Sequence, residues 1–141
     1  GIASTSDEAS SVLPLASALY GPVPAQLEQT DSFVAQLQEL LAVRRDYRIY
    51  AARQIDVPET ANPGLLVMVH NLVDGLGVQI TALNFGAQPI EEEIVIPTPA
   101  PGKVMDMLTG EIEGQINARG GLTITLNGYA GKSLLWTETG A

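Results

Sequence analysis

The sequence predicts a mainly β protein: an antiparallel β-sandwich of about eight strands and Greek-key type, preceded by a helical segment. Three observations predict this class. Short apolar runs follow one another at even spacing from residue 65 onward. Turn-forming pairs such as Asp74-Gly75 and Asn127-Gly128 separate these runs, and such residues tolerate the positive φ of tight turns. Many short strands joined by turns are typical of a sandwich or an open barrel.

Composition limits the classes of function. The chain has 141 residues, which suits one domain or one domain with an appendage. Sixteen acidic residues against seven basic ones give a net charge of −9. An acidic surface repels phosphate backbones and anionic lipid, so we expect neither nucleic acid nor membrane as a partner. The chain has no cysteine, which excludes disulfides and zinc–thiolate sites and favours the cytoplasm.

We expect neither a membrane span nor a signal peptide in this sequence. No apolar run approaches the roughly 18 residues of a membrane span, and no basic and apolar leader opens the sequence. The chain begins with Gly1 rather than methionine. We therefore expect it to derive from a longer polypeptide.

One helix is predicted in the first third of the chain. Residues 1–30 read as irregular, because three prolines interrupt them and each removes a backbone donor. Thr30 or Asp31 then offers an N-cap for a helix over 32–46. Its apolar residues fall at helical spacing. They are Phe33, Leu37, Leu40 and Leu41.

Eight strands are predicted after this helix, and the Pro-bounded break at 58–63 separates the first from the rest. Leu122, Ile124 and Leu126 alternate with threonines and should face the core. Residues 65–69 are apolar at every position, so we expect a strand covered on both faces, with the helix as the outer cover. The predicted strands are 47–57, 65–72, 78–85, 91–96, 103–108, 111–116, 122–126 and 133–137.

Several segments carry a resemblance to a known family. Residues 19–59 (LYGPVPAQLEQTDSFVAQLQELLAVRRDYRIYAARQIDVPE) are followed by NPGLLVMVH at 62–70 and TALNFG at 81–86. MDMLTG at 105–110 and the strands of 122–136 complete the pattern. Together they resemble the C-terminal end of α-amylase-superfamily enzymes, most closely the trehalose synthases (maltose α-D-glucosyltransferases).

The resemblance implies a layout and a role. Residues 1–46 would correspond to the end of a (β/α)8 barrel, and 47–141 to the β-sandwich that follows it. The family's catalytic carboxylates lie on barrel loops, and none of their motifs occurs here, so no catalytic residue is carried over. A barrel needs roughly 250 residues and cannot fit in this chain. The implied function is a non-catalytic accessory domain of an enzyme that interconverts maltose and trehalose, with no cofactor.

The partner implied for this domain is the catalytic barrel of the same polypeptide. The apolar helix residues and the arginines after them are the candidate docking surface. Dipole complementarity and weak surface ion pairs equally explain arginines at a helix C-terminus. The candidate docking residues are Phe33, Leu37, Leu40, Leu41, Arg44, Arg45 and Arg48.

A stand-alone carbohydrate-binding module is the alternative, with maltose or an α-glucan as ligand. Sugar rings stack on exposed aromatic faces, and Tyr129 and Trp136 lie close together in the sequence. Trp136 follows two leucines, which favours a core position instead.

Other polar residues favour structural roles. Glu91, Glu92 and Glu93 look like a solvated edge that discourages strand pairing between molecules. His70 is the only histidine and has no metal or triad pattern near it, so we expect a hydrogen-bonded structural histidine.

Overall fold

The structure is a computed structural model that describes residues 23–98 and 100–138. The chain divides into two compact units, Gly1–Ala42 and Val43–Ala141. Most of the segment predicted to be irregular, residues 1–22, lies outside the described residues. No helix within the described ranges is both long and apolar enough to cross a membrane.

The described part of the first unit is helical. Helix α1 spans Val23–Leu27, inside the segment predicted to be irregular. Pro24 does not prevent it, because the first turn of a helix does not use its N–H groups. Helix α2 spans Phe33–Asp46, as predicted, and its last turn belongs to the second unit. Its N-cap is Ser32, not Thr30 or Asp31, because the Ser32 hydroxyl accepts the N–H of Ala35 at 3.2 Å.

The predicted strand 47–57 is wrong over its first half. Arg48 adopts a left-handed conformation (φ 51°) after the end of α2, and a 3-10 turn, Ile49–Ala51, follows. Only the end of the segment pairs with a neighbour. The eight strands are β1 Arg53–Asp56, β2 Leu65–Asn71, β3 Val78–Asn84, β4 Ile90–Val95, β5 Gly102–Asp106, β6 Ile112–Ile116, β7 Gly121–Leu126 and β8 Gly131–Trp136.

The strands form two antiparallel sheets, which confirms the mainly β, sandwich-like class. The larger sheet has the order β1-β2-β3-β8-β5-β6, and the smaller one pairs β4 with β7. The chain passes between the sheets four times, after β3, β4, β6 and β7. Strands distant in sequence therefore become neighbours: β8 lies between β3 and β5.

The core lies between the two sheets. Val67, Ile80 and Val104 are fully buried on the larger sheet, and Ile94 and Ile124 face them from the smaller one. The predicted alternation in β7 is confirmed, since its leucines and isoleucine are buried and its threonines are exposed. Burial of these apolar side chains stabilises the fold by about 25 cal/mol for each Å² of apolar surface removed from water.

The outer face of the larger sheet carries a second, smaller cluster. Its buried members are Leu72, Met107 and Leu135. Leu66 and Met68 on the outer side of β2 are only half-buried, so this strand is less covered than its unbroken apolar sequence predicts. The partly buried residues packed against the cluster are Val43, Tyr47, Ile49, Ala52, Leu76 and Met105.

Candidate functional site

The three consecutive glutamates of β4 face two sides of the strand, and one of them anchors a neighbouring loop. Glu91 and Glu93 point away from the core and are exposed. Glu92 points the other way, and its carboxylate accepts the backbone N–H groups of Ala61 and Asn62, the latter at 3.1 Å. The run therefore combines a solvated edge, as predicted, with an anchor for the link between β1 and β2.

An acidic groove lies between the end of β1 and β4. Asp56, Glu59 and Glu93 line an open groove of about 560 Å³. The Asp56 carboxylate is already used, since it accepts the N–H of Val57 at 2.8 Å. Within the described residues, no three Asp, Glu or His side chains are placed to hold a metal ion.

A second cleft of about 410 Å³ lies at the end of β8. Ile55, Leu72, Pro97 and Trp136 supply apolar walls, and Glu138 is the one carboxylate among its lining residues. Hydrolysis of a glycosidic bond by the usual route needs two carboxyl groups on either side of that bond. The described residues of this cleft supply one carboxyl group.

His70 lies on the outer face of the larger sheet, between Gln54 and Gln79 in the register. It is half-buried, and its Nδ1 is buried without a hydrogen-bond partner in the described part of the chain. The predicted hydrogen bond is therefore absent at this atom. The ring contributes packing area on the sheet surface.

Arg44 and Arg45 in the last turn of α2, and Arg48 after it, are solvent-exposed. Arg45 pairs with the adjacent Asp46 at 3.0 Å, and Arg48 pairs with Asp74 in the β2–β3 connection. A side-chain hydrogen bond with Tyr50, followed by the Asp74 carboxylate, raises the pKa of the Arg48 guanidinium. Arg44 is exposed beside them. These pairs anchor the turn after the helix, and exposed ion pairs contribute little to stability.

The apolar face of α2 is accessible to solvent. Phe33, Leu37, Leu40 and Leu41 are between 41% and 54% exposed, and no residue of the helix is buried. A four-residue apolar stripe at this exposure is unusual for a helix, which normally buries such a face.

The structure separates the two aromatic residues predicted to stack on sugars. Trp136 is 4% exposed and belongs to the main core, where its indole packs over Gly102. Tyr129 is 76% exposed and lies in the turn before β8, at the opposite end of that strand. The two rings share no surface, and Trp136 is not available for stacking.

A different aromatic residue, Phe85, lies beside Tyr129. Phe85 follows β3 and is 65% exposed. Two backbone hydrogen bonds join this segment to the β7–β8 turn: the N–H of Asn84 donates to Ala130 and that of Tyr129 donates to Gly86, both at 2.9 Å. The backbone of Phe85 therefore runs directly across from that of Tyr129.

Buried Asn84 fixes both segments. Its amide nitrogen donates to the carbonyl oxygens of Gln88 at 2.8 Å and Asn127 at 3.0 Å. Its side-chain oxygen accepts the N–H of Gly86 at 2.9 Å. The sequence analysis did not identify Phe85. Side chains alternate between the two faces of a strand, so Phe85 continues the outward-facing series of Thr81 and Leu83 on β3.

No protein-family model matches this sequence, and neither does any curated protein sequence. Solved structures do share its fold. An Anoxybacillus α-amylase gives a TM-score of 0.59 over 80% of this chain, at 13% identity. AmyP, crystallised with maltose, gives 0.56 over 72% at 20% identity. A GH30 endoxylanase from Clostridium papyrosolvens gives 0.52 over 70% at 14% identity.

The share of those proteins that this chain spans is small. It amounts to 24% of the Anoxybacillus α-amylase, 19% of AmyP and 27% of the endoxylanase. At these identities the similarity establishes a shared fold. In each of the three proteins, that fold accounts for a minor part of a much longer chain.

Proposed function

We propose that this chain is the C-terminal accessory domain of a larger α-amylase-superfamily enzyme, a trehalose synthase that interconverts maltose and trehalose. The chemistry would belong to the catalytic barrel of the same polypeptide, which would act by a retaining route with two carboxylates. The domain would have no catalytic role and would stabilise the barrel by covering part of its apolar surface.

The observation that carries this proposal is the fold likeness to an α-amylase over 80% of this chain but only 24% of that one. The clefts of the described residues agree with a non-catalytic role, because neither combines an enclosed cavity with two opposed carboxylates. The resemblance of residues 62–70 and 105–110 to the tail of the trehalose synthases supports the finer assignment within the superfamily.

The exposed stripe on α2 suggests how the domain would dock. Phe33, Leu37 and Leu41 recur at intervals of four residues and thus share one face of the helix. Packing this stripe against a barrel would remove apolar area from water, at about 25 cal/mol for each Å². Arg44 and Arg45 in the last turn of the helix, and Arg48 after it, would meet acidic groups on the same partner, and Arg45 and Arg48 would exchange their present pairs with Asp46 and Asp74.

The size of the native polypeptide tests the proposal first. An antibody raised against this chain is used to probe a lysate of the source organism. We expect a band several times heavier than 14.9 kDa. A band at 14.9 kDa contradicts the accessory-domain role and identifies a free-standing protein.

Paired substitutions test the docking surface. In the isolated chain, Leu37→Ala and Leu41→Ala should change the free energy of unfolding by less than about 0.5 kcal/mol, because both side chains are exposed. In the longer native polypeptide each should cost about 2–5 kcal/mol, the usual effect of truncating a buried leucine. Gln38→Ala on the polar face is the control and should be silent in both. Equal effects in the two contexts would refute docking through this face.

A further inference from the structure

We infer that Phe85 and Tyr129, here called the aromatic pair, form a binding platform for a neutral oligosaccharide. Both rings are largely exposed, although large aromatic side chains are normally buried. Among the large hydrophobic residues in the described part of the chain, Tyr129 is the most exposed, and Phe85 and Val95 share second place. Two exposed aromatic residues on adjacent backbone segments of a folded domain make a candidate binding site.

The platform is rigid, as a stacking site must be. The N–H of Phe85 donates to Gly64 at 2.8 Å, and the flanking bonds from Asn84 and Tyr129 hold the opposite side. The three side-chain hydrogen bonds of buried Asn84 fix the loop that follows Phe85 to the turn that precedes Tyr129. Rings held on preorganised backbone lose little conformational entropy when a ligand stacks on them.

Tyr129 occupies its place against the local backbone preference. Its φ is 55°, in the left-handed region that costs a non-glycine residue about 1–2 kcal/mol. Gly128 does not take this conformation, because it is required where the backbone passes Ala87. A strained, exposed aromatic residue is a pattern found at functional sites.

The surroundings select the class of ligand. Planar aromatic surfaces accept nucleobases as well as sugar rings, but nucleic acid also requires cations for its phosphates. The net charge of −9 opposes a polyanion, and the cation nearest in sequence, Lys132, is paired with Glu113. The side-chain amides of Gln88 and Asn127 are exposed in the same two loops and can donate to and accept from hydroxyl groups. Exposed aromatic rings with exposed amides in the same loops suit a neutral sugar.

Titration of the 141-residue chain tests this inference. Maltoheptaose, cellohexaose and xylohexaose are each added to isotope-labelled protein, and the amide NMR shifts of residues 84–88 and 127–130 are followed. We expect at least one oligosaccharide to shift these signals in a saturable manner. Phe85→Ala and Tyr129→Ala should each weaken that binding at least tenfold. Tyr50→Ala, which removes another exposed tyrosine, should leave it within twofold.

One further variant separates binding from folding. Tyr129→Gly relieves the left-handed strain, so it should unfold at a urea concentration no lower than the parent while losing sugar binding. Absence of binding by all three oligosaccharides, or binding that survives loss of both rings, would overturn the inference. So would binding of an oligothymidylate at the same residues in place of the sugars. The size of the native polypeptide has no bearing on this titration, so this inference and the proposed function fail independently.

Discussion

Replacing Asn84 should lower the free energy of unfolding of the second unit by more than the loss of one hydrogen bond. The residue is 3% exposed and makes three hydrogen bonds, to Gly86, Gln88 and Asn127. A neutral hydrogen bond contributes about 0.5–1.5 kcal/mol, so Asn84→Ala should lower the free energy of unfolding by about 3 kcal/mol. That is a large share of the roughly 5–15 kcal/mol that stabilises a typical domain.

Urea unfolding followed by the fluorescence of Trp136 measures this loss, since Trp136 is the only tryptophan and lies in the main core. With a slope of about 1–3 kcal/mol/M, the midpoint should fall by about 1–3 M. Asn127→Ala is the matched control, because Asn84 uses only the backbone carbonyl of that residue. The control should stay within about 0.5 kcal/mol of the parent.

Asn84→Asp adds a pH test. The new carboxylate would be buried and would face the carbonyl oxygens of Gln88 and Asn127, so its folded pKa should rise above the unfolded value of about 3.9. The protonated form can donate to one carbonyl. The stability that this protonated carboxyl group contributes is fully present below its unfolded pKa and is lost as pH rises through its folded pKa. Relative to Asn84→Ala, the variant should therefore lose stability between pH 4 and pH 7.

A loss below about 1 kcal/mol for Asn84→Ala would refute the three-bond argument.

Three further substitutions probe the close contacts, the core and the surface. Gly128→Ala should cost about 3 kcal/mol or more, because its new Cβ would lie 2.0 Å from the carbonyl oxygen of Ala87. Ile80→Ala should cost about 2–5 kcal/mol, since the side chain is fully buried between the sheets. Asp74→Asn removes the exposed partner of Arg48, so its effect should be small in low salt and vanish in 1 M NaCl, where the Debye length is about 3 Å. Chemical denaturation measures all three.

Each of these substitutions has a control in the same unit. Gly110→Ala meets no atom within 4 Å, so it should carry only the strain of its φ of +75°, about 1–2 kcal/mol. Val95→Ala removes an exposed side chain and should be nearly silent. Asp56→Asn, at a carboxylate outside any ion pair of the described residues, should show no salt-dependent difference. Equal losses at Gly110 and Gly128 would contradict the steric argument.

The strands were predictable where side-chain parity and turn chemistry agreed. The pair Asp74-Gly75 takes positive φ at both residues, as its composition predicts, and β2 and β3 pair in full register around it. The same logic failed at 47–57. Tyr47 and Ile49 have strand-like composition, but they pack with Val43 on the small outer cluster as a turn. Tertiary contacts decided that segment, and no local pattern indicates them.

The candidate sites were less predictable than the strands. Proximity in sequence suggested Tyr129 with Trp136, but a strand of six residues places its two ends roughly 17–20 Å apart. Phe85 reaches Tyr129 only because β3 pairs with β8, whose partner residues lie 48 to 58 positions away in the chain. Sheet order of this kind follows from the passage of the chain between sheets, which a single sequence does not specify.

The turn at Asn127-Gly128 has an evolutionary consequence. The sequence predicts positive φ at Gly128, yet the structure has it at Tyr129, because Gly128 is needed where the backbone passes Ala87. Natural variation at these two adjacent positions should therefore follow different rules. Position 128 should admit nothing but glycine in any homologue with this loop. Position 129 should drift to glycine or asparagine in lineages where no ligand selects for a ring, so an aromatic residue retained there would record selection for binding.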